Sequence, residues 1–347
     1  RAAARITPGG DMGTSVALSI AVVIGLLLLT FLRFARSQRD SLRKLSRGSK
    51  LADTDRGQVE FASVGDGPVV LSLHGGLGGW DQGVVIADSW LDLVKQGFSV
   101  LSPSRPGYLR TPVEVGRTPE AGADAAAALL ETLGIERALV LGTSGGGPTA
   151  LQFALRHPDR TQALVMFSAI SGQHVQPGRT RKRYGWFLFS RYGPWLLDMG
   201  WWLINGMVKR LPRLMIRSMF NATTTRDFKA REGVDYVMTH PRALACIRDL
   251  METQIPLSVR KPGLDNDLET LADLPPYPLE RITCPTLVVH GRLDGNVPFS
   301  HAERVAGAVP DAEMYEIEEG GHLLCSGPGA EEMRSAMVRF LQDNARE

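Results

Sequence analysis

Ala138-Leu139-Val140-Leu141-Gly142-Thr143-Ser144-Gly145-Gly146-Gly147-Pro148-Thr149-Ala150-Leu151-Gln152-Phe153-Ala154-Leu155 is the stretch that decides the fold. It opens as a short apolar run of strand character and closes as a helix entered through proline. Between them lies G-x-S-x-G, with Gly142, Ser144 and Gly146 in the fixed positions. A chain that turns from strand to helix this sharply strains the serine backbone. It also leaves room only for small neighbours, hence Gly142, Gly145 and Gly146. The turn exposes a hydroxyl at the start of a helix, where the local field favours negative charge.

A hydroxyl is a weak nucleophile without a base, an acid to orient that base, and donors for the oxyanion. The apolar strand Thr286-Leu287-Val288-Val289-His290 runs into Gly291-Arg292-Leu293-Asp294, which puts a carboxylate just past a strand end. The next strand-like run, Glu313-Met314-Tyr315-Glu316-Ile317, leads to Gly320-Gly321-His322 and places an imidazole on a glycine-rich loop. Upstream, the buried-strand pattern Val69-Val70-Leu71-Ser72-Leu73 enters His74-Gly75-Gly76-Leu77-Gly78-Gly79, with four glycines in six residues. Such a loop can fold back and aim backbone N–H groups at a substrate oxygen, and the expected donors are those of Gly76 and Gly145.

His74-Gly75-Gly76, Ser104-Arg105-Pro106-Gly107-Tyr108, the serine turn, Gly291-Arg292-Leu293-Asp294 and Gly321-His322 together resemble the α/β-hydrolase superfamily, in its capped, serine esterase- and lipase-like form. The chain order Ser, Asp, His is the order of that superfamily. The likeness runs from about Val59 to Leu341. It implies Ser144 as nucleophile, His322 as base and Asp294 as its orienter, with no cofactor. Many relatives carry Asp where this chain has Ser104; the position is usually structural, so the departure leaves the triad standing.

The remaining histidines and the cysteines read as structural. His74 packs and hydrogen-bonds at the glycine loop, His157 ends a helix, His290 is a satisfied core residue, and His174, His240 and His301 show no partner pattern. No His/Cys/Asp/Glu spacing suggests a metal site. The glycine loop lacks both the G-x-G-x-x-G spacing and the P-loop ending. Cys246, Cys284 and Cys325 are odd in number and far apart, which argues against a disulfide framework.

The chain of 347 residues carries a net charge of +2, too balanced for a nucleic-acid binder. Residues 13–32 contain no charge, about the length that crosses a hydrocarbon core. Arg33, Arg36, Arg39, Arg43, Lys44, Arg47 and Lys50 follow, offset by Asp40. A cleaved signal peptide has its positive charge before the apolar run, so this pattern favours an uncleaved membrane anchor with the C-terminal side cytoplasmic. Residues 1–36 are thus an N-terminal segment with the anchor, and 37–56 a polar, basic tether.

From there the alternation of strand and helix implies a mostly parallel sheet with helices on both faces, over 57–171 and 280–347. Residues 172–279 lack strand runs and form a helical cap. Its first half mixes Tyr184, Trp186, Phe187, Phe189, Tyr192, Trp195, Trp201 and Trp202 with many Arg and Lys. That composition suits either a packed helical cap or a surface at lipid headgroup level.

The reading that follows is a serine hydrolase acting on esters with hydrophobic acyl groups, its substrate a small-molecule ester or lipid. Two alternatives stay open. One is a carbon–carbon bond hydrolase or perhydrolase on the same triad; the other is a non-catalytic binding protein of this fold. Ser144 argues against the Asp-nucleophile members, the epoxide hydrolases and haloalkane dehalogenases.

Overall fold

The computed structural model describes residues 11–174 and 193–345. The described chain divides between Lys44 and Leu45 into two compact units. The first unit is formed by most of helix α1 (Asp11–Gly48). In its most apolar 18-residue window mean hydropathy is 2.7 and no residue is buried, unlike the core helix of a globular domain. By length and composition it can cross a membrane.

The second unit is built on one eight-stranded sheet in the order β1-β2-β4-β3-β5-β6-β7-β8. Its strands are β1 (Lys50–Thr54), β2 (Gly57–Val64), β3 (Val69–Leu73), β4 (Ser99–Pro103), β5 (Ala138–Thr143), β6 (Thr161–Phe167), β7 (Thr286–Gly291) and β8 (Ala312–Ile317). The β1–β2 and β2–β4 pairings are antiparallel; every other pairing is parallel. Chain order reverses between β3 and β5 on one side and β4 on the other. In open sheets of this kind a site forms beyond the carboxyl ends of the strands near such a reversal.

The stretch read as a tether, 37–56, departs from that expectation. Helix α1 continues to Gly48 and β1 follows almost at once. Charge alone does not prevent a helix, and β1 is an edge strand, where polar residues are tolerated on the open side. Its burial is confined to Ala52 and, in part, Thr54.

Side-chain alternation along the strands sorts the core into two layers. Leu71, Val140, Leu164 and Val288 face α3 (Pro119–Thr132), α4 (Gly147–Arg156) and α10 (Ser300–Ala308); Val70, Leu139, Leu141 and Val289 face α11 (Ala330–Asn344) and the π-helical turn Val85–Trp90 after α2 (Trp80–Val84). Helix α3 begins as its sequence dictates: Thr118 Oγ1 accepts from Ala121 N at 3.3 Å and Pro119 takes the first position. It is followed by Gly134 in the left-handed region, φ +68°.

Between β6 and β7 the described chain is helical: α5 (Gly193–Arg210), α6 (Pro212–Thr223), α7 (Ala230–Thr239), α8 (Pro241–Glu252) and α9 (Lys261–Thr270). Helices α5 to α8 share a small core of their own around Val208, Ile216, Phe220, Val237 and Ile247. Of the aromatics noted in this insertion, Tyr184, Trp186, Phe187, Phe189 and Tyr192 lie outside the described residues. Trp195 is exposed, and Trp201 and Trp202 are half-buried.

Candidate active site

Strand β5 delivers Ser144 to the carboxyl edge of the sheet, and the backbone there is strained. Ser144 has φ +48°, a left-handed conformation that a non-glycine residue adopts only at a cost. A Cβ at Gly142 would lie 2.5 Å from Ala150 Cβ, and one at Gly146 would lie 2.3 Å from the carbonyl oxygen of Leu73. These glycines are therefore required by close approach of the turn to β3 and α4. At Gly145 a Cβ would be tight but not in collision, 3.3 Å from Gly76 N and 3.7 Å from Arg105 Nη2 and Asp267 Oδ2.

The space a side chain at Gly145 would fill thus borders Gly76 N of the glycine loop. A Cβ at Gly75 would lie 3.1 Å from Ser144 Cβ, while one at Gly76 meets nothing within 4 Å. Open space thus stands in front of Gly76. Within the loop 74–79 the left-handed residue is Leu77, φ +59°, and Gly75, Gly78 and Gly79 serve close packing instead.

Strands β7 and β8 bring the other two groups together. Asp294 is 2% exposed. Its Oδ1 accepts the N–H groups of Asn296 and Val297, each at 2.8 Å, and its Oδ2 accepts His322 Nδ1–H at 2.7 Å. Burial pushes the carboxyl pKa up, but the attraction of His322 and hydrogen bonds from His290 and His322 outweigh it and hold Asp294 well below the usual range. Among the described residues no hydrogen bond joins Ser144 Oγ to His322. Such bonds are commonly long in unliganded sites and tighten when substrate arrives.

His290 is not the fully satisfied core residue expected. Its Nε2–H donates to Val297 O at 2.9 Å and lies 3.4 Å from Asp294 Oδ2, but its buried Nδ1 has no partner among the described residues. His174 and His301 do have partners, across a fold the sequence pattern does not reveal. Their rings meet edge-on at 5.4 Å, and His301 Nδ1 accepts Ser171 N–H at 3.1 Å. His74 is buried at the glycine loop. Arg105 N–H donates to its Nε2 at 2.9 Å, so the proton sits on Nδ1, which donates to Gly75 O at 2.8 Å. Burial and the Arg105 charge keep the ring neutral.

Sequence reasoning missed the ionic framework around this loop. Arg105 and Asp267 form a buried two-fold hydrogen-bonded pair at 2.9 and 2.7 Å, and Arg260 and Asp81 form a second, also at 2.9 and 2.7 Å. The partners are 162 and 179 residues apart, so no local spacing could announce them. Ser104 also finds its reason here. Its hydroxyl donates to Glu60 Oε2 at 3.1 Å, and Glu60 is almost fully buried. An Asp in place of Ser104 would set a second carboxylate against the first.

Cys246, Cys284 and Cys325 are free thiols, all buried. Among the described residues no group of three or more His, Cys, Asp or Glu side chains could hold a metal ion.

A strained serine between strand and helix, a His–Asp pair beyond the ends of β7 and β8, and a mostly parallel sheet define one architecture. Residues 69–331 match the model of the alpha/beta hydrolase family. The chain belongs to that family. An alpha/beta hydrolase fold protein from Nakamurella multipartita superposes with a TM-score of 0.71 at 30% identity, covering 85% of this chain and 99% of that one. An uncharacterized hydrolase of Bacillus subtilis is 29% identical over 288 residues, 83% of this chain and 96% of its own length. A 2-hydroxy-6-oxononadienedioate/2-hydroxy-6-oxononatrienedioate hydrolase of Cupriavidus pinatubonensis is 27% identical over 300 residues, 78% of this chain and 91% of its own. The chain is thus a hydrolase of this family.

Proposed function

We propose that the protein is a serine hydrolase that cleaves carboxylic esters with hydrophobic acyl groups through an acyl-enzyme. The observations that carry this reading are the 2.7 Å His322–Asp294 pair beyond β7 and β8 and the strained Ser144 turn beyond β5 of the same parallel sheet. Ser144 Oγ attacks the acyl carbonyl. His322 takes the proton at Nε2 and returns it to the leaving alcohol, while Asp294 steadies the imidazolium. The N–H groups of Gly76 and Gly145 receive the oxyanion. Water then attacks the acyl-enzyme by the same route in reverse.

The second reading, hydrolysis of a carbon–carbon bond beside a ketone, draws support from the relative named for a 6-oxo dienedioate. Such a substrate is a dianion and needs cations in its pocket. Among the described residues the two buried arginines flanking the glycine loop, Arg105 and Arg260, are each neutralised by an aspartate. That favours a neutral acyl group. Fluorophosphonate labelling of the wild type beside Ser144→Ala tests the serine, and a p-nitrophenyl ester series run against a 2-hydroxy-6-oxo dienoate separates the two readings. Turnover of the dienoate far above every ester would sink the ester reading; a folded wild type that neither labels nor turns over would leave a binding protein.

The same proposal places α1 in a membrane with the hydrolase on the cytoplasmic side. The uncharged 13–32 stretch and the basic residues after it support this. Leu203, Met207, Leu211 and Leu214, on α5 and the start of α6, are exposed beside Arg210 and Arg217 and suit contact with anionic lipid. Protease protection of sealed membrane vesicles is the test; protection of the hydrolase unit from protease on the cytoplasmic face would refute the orientation.

A further inference from the structure

We propose that Arg105 is the positioning residue of the oxyanion loop and that the cap carboxylate Asp267 holds it in place, so that core and cap build the oxyanion hole together. The inference rests on the serine-hydrolase reading, since that chemistry is what gives the Gly76 N–H its task.

The argument starts from one peptide plane. The carbonyl of Gly75 and the N–H of Gly76 belong to the same trans peptide and point in opposite directions. Whatever fixes the carbonyl therefore aims the N–H. Two donors converge on Gly75 O, His74 Nδ1–H at 2.8 Å and Arg105 Nη2–H at 3.3 Å. Arg105 also donates through Nε to His74 O at 2.8 Å and through its backbone N–H to His74 Nε2 at 2.9 Å. One residue thus grips the ring of His74 and two successive carbonyls of the loop.

The guanidinium is held in turn from the cap. Asp267 on α9 accepts Nη1 at 2.9 Å and Nη2 at 2.7 Å, and Tyr108 Oη–H donates to its Oδ2 at 2.6 Å. Arg105, Tyr108 and Asp267 are all buried. This part of the cap does not stand off from the core. Leu109 N–H donates to Val259 O at 2.9 Å, Arg260 pairs with Asp81, and a Cβ at Gly263 would fall 2.2 Å from the Tyr108 ring. The segment 259–267 is therefore a fixed wall of the site, and its carboxylate reaches the oxyanion loop through a single guanidinium.

A buried ion pair is often no more stabilising than apolar residues of similar volume. That gives the experiment its control. The triple variant Arg105→Met/Tyr108→Phe/Asp267→Leu replaces the network with apolar side chains and leaves no unpaired charge. Melting, kcat and KM on p-nitrophenyl butyrate, and the affinity of an alkyl boronic acid, whose tetrahedral adduct carries the oxyanion, are measured beside wild type. The expected result is a folded protein with kcat down about 10- to 100-fold, KM within about threefold, and boronate affinity reduced in step with kcat/KM. Arg105→Lys supplies the second variant. It keeps the charge opposite Asp267, but one ammonium cannot hold both carboxylate oxygens and both loop carbonyls. It should show the same loss in kcat. A folded variant of either kind with wild-type kcat and wild-type boronate affinity overturns the proposal alone. A wild type that neither hydrolyses the ester nor binds the boronate overturns the serine-hydrolase reading and this proposal with it.

Discussion

Asp294 Oδ2 lies 2.7 Å from His322 Nδ1, on loops that follow two neighbouring parallel strands, β7 and β8. Because the other carboxylate oxygen is occupied by two backbone N–H groups, the aspartate cannot swing away from the imidazole. The pair fixes the tautomer: Nδ1 keeps its proton and Nε2 is left to accept one.

Asp294→Asn tests that relationship. The amide is nearly isosteric, but it can present its NH2 to Nδ1 and favour the wrong tautomer. We expect kcat on p-nitrophenyl butyrate to fall about 1000- to 10,000-fold with the fold retained. A loss below tenfold would mean that His322 does not depend on this carboxylate.

Ser144 offers a test of strain that is independent of any substrate. At φ +48° the side chain clashes with its own backbone, and glycine would not. Ser144→Gly should therefore be more stable than Ser144→Ala by about 1 kcal/mol, read from urea unfolding, although both are inactive. Equal midpoints would show that the elbow stores no strain.

The strand-end positions of Ser144 and Asp294 were legible in the sequence because each follows a run of apolar strand residues; His322 follows the mixed strand Ala312–Ile317 and was marked by Gly320 and Gly321. The order of strands was not, since parallel pairing leaves no local mark. Strand β1 escaped because Lys50, Asp53 and Thr54 read as polar linker, and an edge strand with one buried residue, Ala52, scarcely alternates. The Asp267 contact was invisible for a different reason. A lone carboxylate on a polar helix looks solvated until its partner, 162 residues earlier, is folded against it.

Two glycines a short distance apart should behave in opposite ways. A methyl at Gly146 would sit 2.3 Å from Leu73 O and 2.6 Å from His74 O, both rigid backbone at the end of β3. Gly146→Ala is expected to cost about 3 kcal/mol or more. At Gly76 a methyl meets nothing within 4 Å. Gly76→Ala should change stability by less than about 0.5 kcal/mol. It should still lower kcat/KM, by about tenfold, because the methyl enters the space where the reacting carbonyl must lie. Melting curves and ester kinetics on the two variants check both halves; a Gly76→Ala enzyme with wild-type kcat/KM would remove Gly76 from the site.

His301 should make stability depend on pH above the range in which carboxylates titrate. Its ring is buried, and burial, followed by the nearby charges of His174 and Arg304, pushes its pKa down from 6.5 to about 4. Between those values the unfolded chain carries the proton and the folded chain does not. Protonation then favours unfolding: the contribution of His301 is complete above pH 6.5 and is lost as pH falls toward 4. Asp294, also depressed, acts only lower, as pH drops below about 4. We expect the melting temperature to decline from about pH 7 to 4.5, and His301→Gln to flatten that decline. Glutamine has no charge to gain, and its Oε1 can still accept the N–H of Ser171. Parallel profiles for wild type and variant over this window would assign the loss to other groups.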